Sequence, residues 1–213
     1  MLRLIFPPKC TFCQRLLRRE ETDFCHDCRV NTETFSRAKN RIPHVAHWTA
    51  LWYYKENVRK SIQRFKFCYR QRYADVFGRH LAMKMSGSLA EDTDILSWVP
   101  VSRIRKLTRG YDQSQLLCQA AGRELGIPAT PVLKKIRHTK PQSSLLGAAQ
   151  RRANVVGAYK ALDPRFLAGK RITLIDDVVT TGATASECAR VLLTAGAKEV
   201  YLVAIAATSH DKK

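Results

Sequence analysis

Thirteen consecutive residues near the C-terminal end, Ile172-Thr-Leu-Ile-Asp-Asp-Val-Val-Thr-Thr-Gly-Ala-Thr184, leave this chain few folds to choose among. Apolar-leaning residues run into two adjacent carboxylates, Asp176 and Asp177, and a loop Thr180-Thr181-Gly182-Ala183-Thr184 then opens a helical pattern. A buried strand that turns straight into a helix is the βα unit of a parallel sheet, and open sheets of that kind bind ligands at their carboxyl edge. The spacing predicts both acids at the tip of the strand. The loop N–H groups, the threonine hydroxyls and the start of the helix form a nest for a phosphate. Gly182 would let the backbone approach that anion without a Cβ in the way. Neighbouring carboxylates repel a pyrophosphate, so they must face something that donates hydrogen bonds. The hydroxyls of a ribose meet that requirement. The bland alternative is an Asp-Asp turn with no ligand.

The flanking sequence repeats the alternation. Ile95 to Val101 reads as a buried strand, Gln113 to Leu125 as a helix closed by Gly126 and Pro128, and Arg171 to Asp176 as a second strand. Ala183 to Thr194 reads as a helix stopped by Gly196, and Val200 to Ala206 as a third strand. Upstream, Trp48 to Tyr54 is a β-branched and aromatic strand pattern, Asn57 is placed to cap a helix through Phe67, and Tyr73 to Met85 is a second amphipathic helix. In the first of these helices Val58, Ile62 and Phe65 share the inward face. At 213 residues the chain can bury one α/β core and a small appended module, hardly two large domains. The expected division is 1–42 for a cysteine module and 43–213 for the α/β domain.

Cys10-x-x-Cys13 and Cys25-x-x-Cys28 define that module. A Cys-x-x-Cys knuckle turns two sulfurs toward one point, and two knuckles supply tetrahedral S₄ coordination for zinc. Such a closed shell makes the zinc structural, with metal binding supplying folding free energy to a segment poor in apolar residues. Disulfides are the alternative. His26, inside the second knuckle, could replace a cysteine, but four sulfurs already fill the shell. The module reads as a fold staple, although Arg15, Arg18 and Arg19 between the knuckles would also suit nucleic acid. Cys68, Cys118 and Cys188 are isolated and read as buried small hydrophobes.

Charge separates the two halves. The chain carries 37 Lys and Arg against 18 Asp and Glu, for a formal +19. Residues 1–90 hold 18 of the basic and 7 of the acidic side chains, and residues 158–213 hold 8 and 6. A polyanionic partner is therefore expected on the N-terminal side, either nucleic acid or an anionic membrane face. Arg59, Lys60, Arg64, Lys66, Arg70 and Arg72 are the candidate contacts to single-stranded DNA. Trp48, Trp52, Tyr53, Tyr54, Phe67 and Tyr69 could stack bases, against the usual expectation that most such rings are core. The opening Met-Leu-Arg-Leu-Ile-Phe-Pro-Pro is too short an apolar run for a signal peptide, and no stretch nears the roughly 20 apolar residues of a membrane helix. A cytoplasmic protein with no transmembrane segment is expected, with a peripheral position at the inner face of the cytoplasmic membrane left open.

Ile172 to Thr184 resembles the 5-phosphoribosyl-1-pyrophosphate (PRPP) motif of type I phosphoribosyltransferases. That resemblance implies an α/β type I phosphoribosyltransferase fold, a parallel sheet flanked by helices, behind a small zinc-ribbon-like module. It implies that Asp176 and Asp177 engage the ribose hydroxyls, directly or through magnesium carried with PRPP, and that Thr180, Thr181, Gly182, Ala183 and Thr184 hold the 5′-phosphate. Val99-Pro-Val-Ser-Arg103 resembles the pyrophosphate loop, which gives Val101, Ser102 and Arg103, helped by Arg105, the pyrophosphate. The stretch from Thr139 to Tyr159 resembles the loop that closes over such sites, with Lys140, Arg151 and Arg152 its cations.

The order of features is narrower still. Leu-Ile-Phe-Pro-Pro-Lys-Cys10, the two knuckles, Arg64-Phe-Lys-Phe67, Arg109-Gly-Tyr-Asp-Gln113 and the PRPP motif together resemble the bacterial ComF family, linked to competence for natural transformation. Asp112 stands where that family often has Asn, and no role is carried over to it. The resemblance implies a PRPP-binding competence factor that handles incoming single-stranded DNA beside the helicase and channel of DNA uptake. A phosphoribosyltransferase of nucleotide or related metabolism with no DNA role is the alternative, although no base-binding hood is recognisable. An adaptor whose cysteine module docks the uptake machinery is a third reading.

Overall fold

The computed structural model describes residues 7–36, 40–67, 72–140 and 147–209. Helix α1 (His26–Asn31) follows the second knuckle. Then come β1 (His47–Tyr53), α2 (Glu56–Phe67), α3 (Tyr73–Met85), α4 (Ser88–Glu91), β2 (Ile95–Trp98), α5 (Arg103–Arg109) and α6 (Gln113–Leu125). The remainder is β3 (Leu133–Lys135), α7 (Gly147–Val155), β4 (Tyr159–Ala161), α8 (Pro164–Leu167), β5 (Arg171–Val179), α9 (Ala183–Thr194) and β6 (Glu199–Ala207).

Four strands form one sheet in the order β1-β6-β5-β2, and every pairing in it is parallel. A parallel sheet is covered on both faces, so its central strands are apolar throughout rather than alternating. Strand β6 is buried from Val200 to Ala207. Successive residues serve opposite faces: Leu202 and Ala204 pack toward α9, while Val203 and Ile205 join Phe65, Phe77 and Leu117 on the other side. On that second face α3 and α6 come very close. A Cβ on Gly78 would sit 2.3 Å from the Ala120 Cβ, so a side chain at position 78 would force these helices apart. Strands β3 and β4 make a separate antiparallel pair over the first face.

The cysteine segment is built into this core. Phe12 and Phe24 stack at 4.2 Å, and both meet the Trp52 ring edge-on, at 5.1 and 5.5 Å. Cys10, Cys25 and Cys28 are buried in the same apolar cluster as Leu51, Ile62 and Leu81. Each buried ring is worth about 2–3 kcal/mol of transfer free energy, which welds the knuckles to β1, α2 and α3. No helix among the described residues is long and apolar enough to cross a membrane.

Helices α3, α6 and α9 have the bounds the sequence pattern predicts. Strands β1 and β6 shift by one residue at each end, and three other boundaries differ for physical reasons. Strand β2 stops at Trp98 rather than Val101, because Pro100 has no N–H to extend the ladder. Helix α2 begins at Glu56, so Asn57 lies within its first turn instead of capping it. Strand β5 runs on to Val179, since β6 continues beside it and pairs Val178 with Ala206 and Val179 with Ala207. The two acids therefore sit inside a strand and not at its tip.

Candidate functional site

At the carboxyl edge of β5 and β2 the sheet opens into a cleft of about 460 Å³. Its floor is Asp176 and Asp177. Its walls are the 180–185 turn into α9, the 99–101 loop after β2, the end of α2, and side chains from β3, β4 and α7.

The turn forms because Gly182 adopts φ +71°, a left-handed conformation that opens α9. A Cβ there would lie 2.7 Å from Ile42 Cγ1 and 2.8 Å from its Cδ1, so the glycine also accommodates Ile42, which precedes β1. The start of α9 still faces the cleft. The first N–H groups of any helix have no acceptor within it, and no acidic side chain occupies this first turn. Thr180, Thr181 and Thr184 line the same wall.

The two acids are held differently. Asp176 Oδ1 accepts from Ser114 Oγ at 3.1 Å and from the Asp177 N–H at 2.8 Å. Burial, and then the neighbouring Asp177 charge, push its carboxyl up to about 7. Asp177 Oδ2 is paired with Lys66 Nζ at 2.7 Å. Lys66, at the last turn of α2, therefore turns into the cleft and is not a free surface cation.

The loop after β2 is braced from beneath. Its Val101 N–H donates to Asp112 Oδ2 at 3.0 Å, while Asp112 Oδ1 caps α6 by accepting from the Gln115 N–H at 3.1 Å. Burial pushes the Asp112 carboxyl up. The residue that stands where Asn is often found thus spends both oxygens on backbone donors, and takes the Val101 N–H with it. Ser102 is buried and accepts from the Arg105 N–H at 3.4 Å, capping α5. Arg103 is exposed, and neither it nor Ser102 lines the cleft; Arg105 does, anchored by donation to the Thr139 carbonyl at 2.9 Å.

Lys66, Arg105, Arg109, Lys135 and Arg151 are the cations of the cleft. Lys135 lies with its amine 5.0 Å from the Tyr159 ring centroid, and burial, then Arg105, lower its ammonium to about 8. Lys140 and Arg152 stand outside the lining; the Lys140 backbone exchanges hydrogen bonds with the Asn154 side chain at 3.2 and 3.0 Å. Two sequence segments far apart in the chain meet here. The Tyr111 hydroxyl donates to the Phe65 carbonyl, and the Arg109 guanidinium lies 5.0 Å from the Phe67 ring centroid. Sequence reasoning missed Ser114, Lys135 and Tyr159: Lys135 and Tyr159 lie on three-residue strands too short to show a period, and the pattern that marks α6 does not say that Ser114 turns to the cleft.

Of the six cations assigned to nucleic acid, Arg59, Lys60 and Arg72 are exposed. Arg64 is turned inward: it donates to the Thr11 and Phe12 carbonyls, the former at 3.2 Å, and to the Tyr73 hydroxyl at 3.2 Å. It ties the knuckle to α2. Arg70 lies outside the described residues, as do Cys68 and Tyr69. Trp48 and Trp52 are core, Tyr53 and Tyr54 are half-buried, and Phe67 is 64% exposed.

The four sulfurs of Cys10, Cys13, Cys25 and Cys28 lie within 4.8 Å of one another. Cys13 Sγ and Cys25 Sγ are 3.6 Å apart, against about 3.8 Å for the edge of an S₄ tetrahedron with 2.3 Å bonds. The donor set fits a metal ion. None of these four, nor Cys118 or Cys188, is in a disulfide. Glu21 orders the loop between the knuckles by accepting from the Arg18 and His26 N–H groups at 2.8 and 2.7 Å.

No protein-family model matches the chain. It is similar to Competence protein F of Haemophilus influenzae, at 28% identity over 92% of this chain and 89% of that protein. It is similar to DNA utilization protein YhgH of Escherichia coli K12, at 29% over 91% and 87%. Competence protein ComFC of Streptococcus pneumoniae is 31% identical over 87% of this chain and 88% of that protein. Among solved structures it is similar to the glutamine PRPP amidotransferase from B. subtilis, with a TM-score of 0.47 and 21% identity over 67% of this chain and 30% of that one.

Proposed function

The chain belongs to the ComF family of competence proteins, and from that premise we propose that it binds PRPP in the cleft and handles incoming single-stranded DNA during natural transformation. One observation carries the reading: two acids with different partners face a helix start across a cleft ringed by five cations. The start of α9 and its threonines take the 5′-phosphate. The acids of β5 take the ribose hydroxyls, and Arg105, Lys135 and Lys66 take the pyrophosphate. Asp176, held near neutrality by burial, can accept from or donate to a hydroxyl at physiological pH. Ser114 and the Asp177 N–H fix its orientation.

The carboxylate oxygens of Asp176 and Asp177 are hard donors that would help hold magnesium carried by PRPP, which would supply charge neutralisation on the diphosphate. Cys10, Cys13, Cys25 and Cys28 would hold zinc, whose role would be structural because three of the four are buried in the core and four thiolates complete a tetrahedral shell. The exposed Arg59, Lys60 and Arg72 contribute the electrostatic part of DNA binding, next to the helicase or channel of the uptake machinery.

The test is calorimetric titration of zinc-loaded protein with PRPP and magnesium, alone and with a short DNA strand. Saturable PRPP binding that is lost in Asp177→Asn, together with DNA affinity that falls by about 0.7 decades per decade of salt for each neutralised phosphate, supports the reading. Absence of PRPP binding, or DNA affinity indifferent to salt, overturns the corresponding half.

A further inference from the structure

Among the described residues that line the cleft, Phe67 carries the most exposed aromatic ring: it is 64% exposed at the end of α2 while Phe65, two residues earlier, is fully buried. A phenyl ring exposed beside the cleft is available to an occupant. Its surroundings specify the chemistry of that occupant. A groove of about 370 Å³ is lined, among the described residues, by Lys66, Phe67, Arg105, Thr108 and Arg109, three cations and no carboxylate. The Arg109 guanidinium lies over the ring at 5.0 Å and is steadied by donation to Gln113 Oε1 at 2.8 Å. Lys66, Phe67, Arg105 and Arg109 also line the sugar-phosphate cleft. The groove and the cleft are therefore one continuous depression.

We propose that this groove is a base-stacking site that seats a nucleobase of single-stranded DNA on Phe67, beside the bound sugar phosphate. A planar ring flanked by cations suits a base whose phosphates lie on either side, because the ring contributes stacking while the cations neutralise the backbone. The charge pattern, three cations and no carboxylate among the described lining residues, favours a strand over a protein partner. The Tyr111 hydroxyl on the Phe65 carbonyl, and Lys66 on Asp177, hold the end of α2 in place, so the base is presented on a fixed platform. The proposal rests on the phosphoribose reading of the neighbouring cleft and adds the class of the second ligand: a base within a strand rather than a free nucleobase.

Fluorescence anisotropy on the zinc-loaded full chain tests it, with an oligothymidylate and a strand of equal length and charge carrying abasic sites throughout. Phe67→Ala is expected to weaken binding of the base-bearing strand roughly 5- to 100-fold, the range of one lost stack, and to leave the abasic strand unchanged. Phe67→Trp should restore or tighten the first and leave the second alone. An equal loss on both strands, or no loss on either, overturns the platform. Far-UV circular dichroism confirms that the variants fold, as expected for an exposed position. PRPP affinity is measured separately in wild type. Stacking without PRPP binding overturns the sugar-phosphate reading, and PRPP binding without a Phe67 effect overturns the platform, so the two failures are distinguishable.

Discussion

Replacing Asp176 by asparagine should make the protein more stable at alkaline pH while destroying its ligand site. An aspartate in the unfolded chain titrates near 3.8, and burial on β5, followed by the Asp177 charge, lifts this one to about 7 in the fold. Between those values the folded protein holds a proton that the unfolded chain has released. Stability therefore declines as pH rises from about 4 to about 7, and the full penalty remains above that. At about 1.4 kcal/mol per unit, three units set a ceiling of about 4 kcal/mol. Local relaxation and solvent at the cleft mouth reduce this to an expected 1–2 kcal/mol, roughly. Asparagine keeps an acceptor for the Ser114 hydroxyl and the Asp177 N–H, and carries no charge. Urea unfolding of metal-loaded wild type and Asp176→Asn at pH 5 and pH 8 gives a double difference in which titrating groups remote from Asp176 cancel. The interval from pH 5 to the folded value of about 7 covers about two of the three units, so at an m-value of about 2 kcal/mol/M the variant should gain about 0.3–0.7 M in midpoint over wild type at pH 8 relative to pH 5, and lose PRPP binding at both. A variant that is less stable than wild type by a larger margin at pH 8 would refute the reasoning, because the carboxylate would then be a stabilising ion-pair partner.

Other positions separate architecture from ligand binding. Arg64→Met should cost about 2–3 kcal/mol in thermal or urea unfolding, because it strands the Phe12 carbonyl and part of the Thr11 bonding. Arg59→Met at an exposed site should stay within about 0.5 kcal/mol. Gly182→Ala should lose about 1–3 kcal/mol from its φ of +71° and the approach to Ile42, and Ile42→Ala in the same chain should recover only the steric part. Cys28→Ser should lower the bound metal measured by elemental analysis and reduce the melting temperature, and a chelator should reproduce the loss in wild type.

Much of the skeleton could be read from the chain in order. Helix bounds at Tyr73–Met85, Gln113–Leu125 and Ala183–Thr194 follow from apolar spacing and from the glycines and capping residues at their ends, which are local properties. The strand, acids, loop and helix of residues 172–184 are likewise contiguous, so their order alone implies a ligand at a sheet edge. The two knuckles needed only their spacing. Partners were a different matter. Lys66 and Arg64 look alike on the surface of one helix, yet one pairs with Asp177 and the other holds the Thr11 and Phe12 carbonyls. Ser114 reaches Asp176 across 62 residues of chain, and Asp112 takes the Val101 N–H through a helix start that no pattern aligns with the loop. Gly182 proved to be shaped by Ile42, a connector residue 140 positions earlier. Periodicity reports which face of an element is buried. Which donor meets which acceptor depends on how elements distant in sequence are brought within about 3 Å, and that was decided by the packing of α2 and α6 against the sheet.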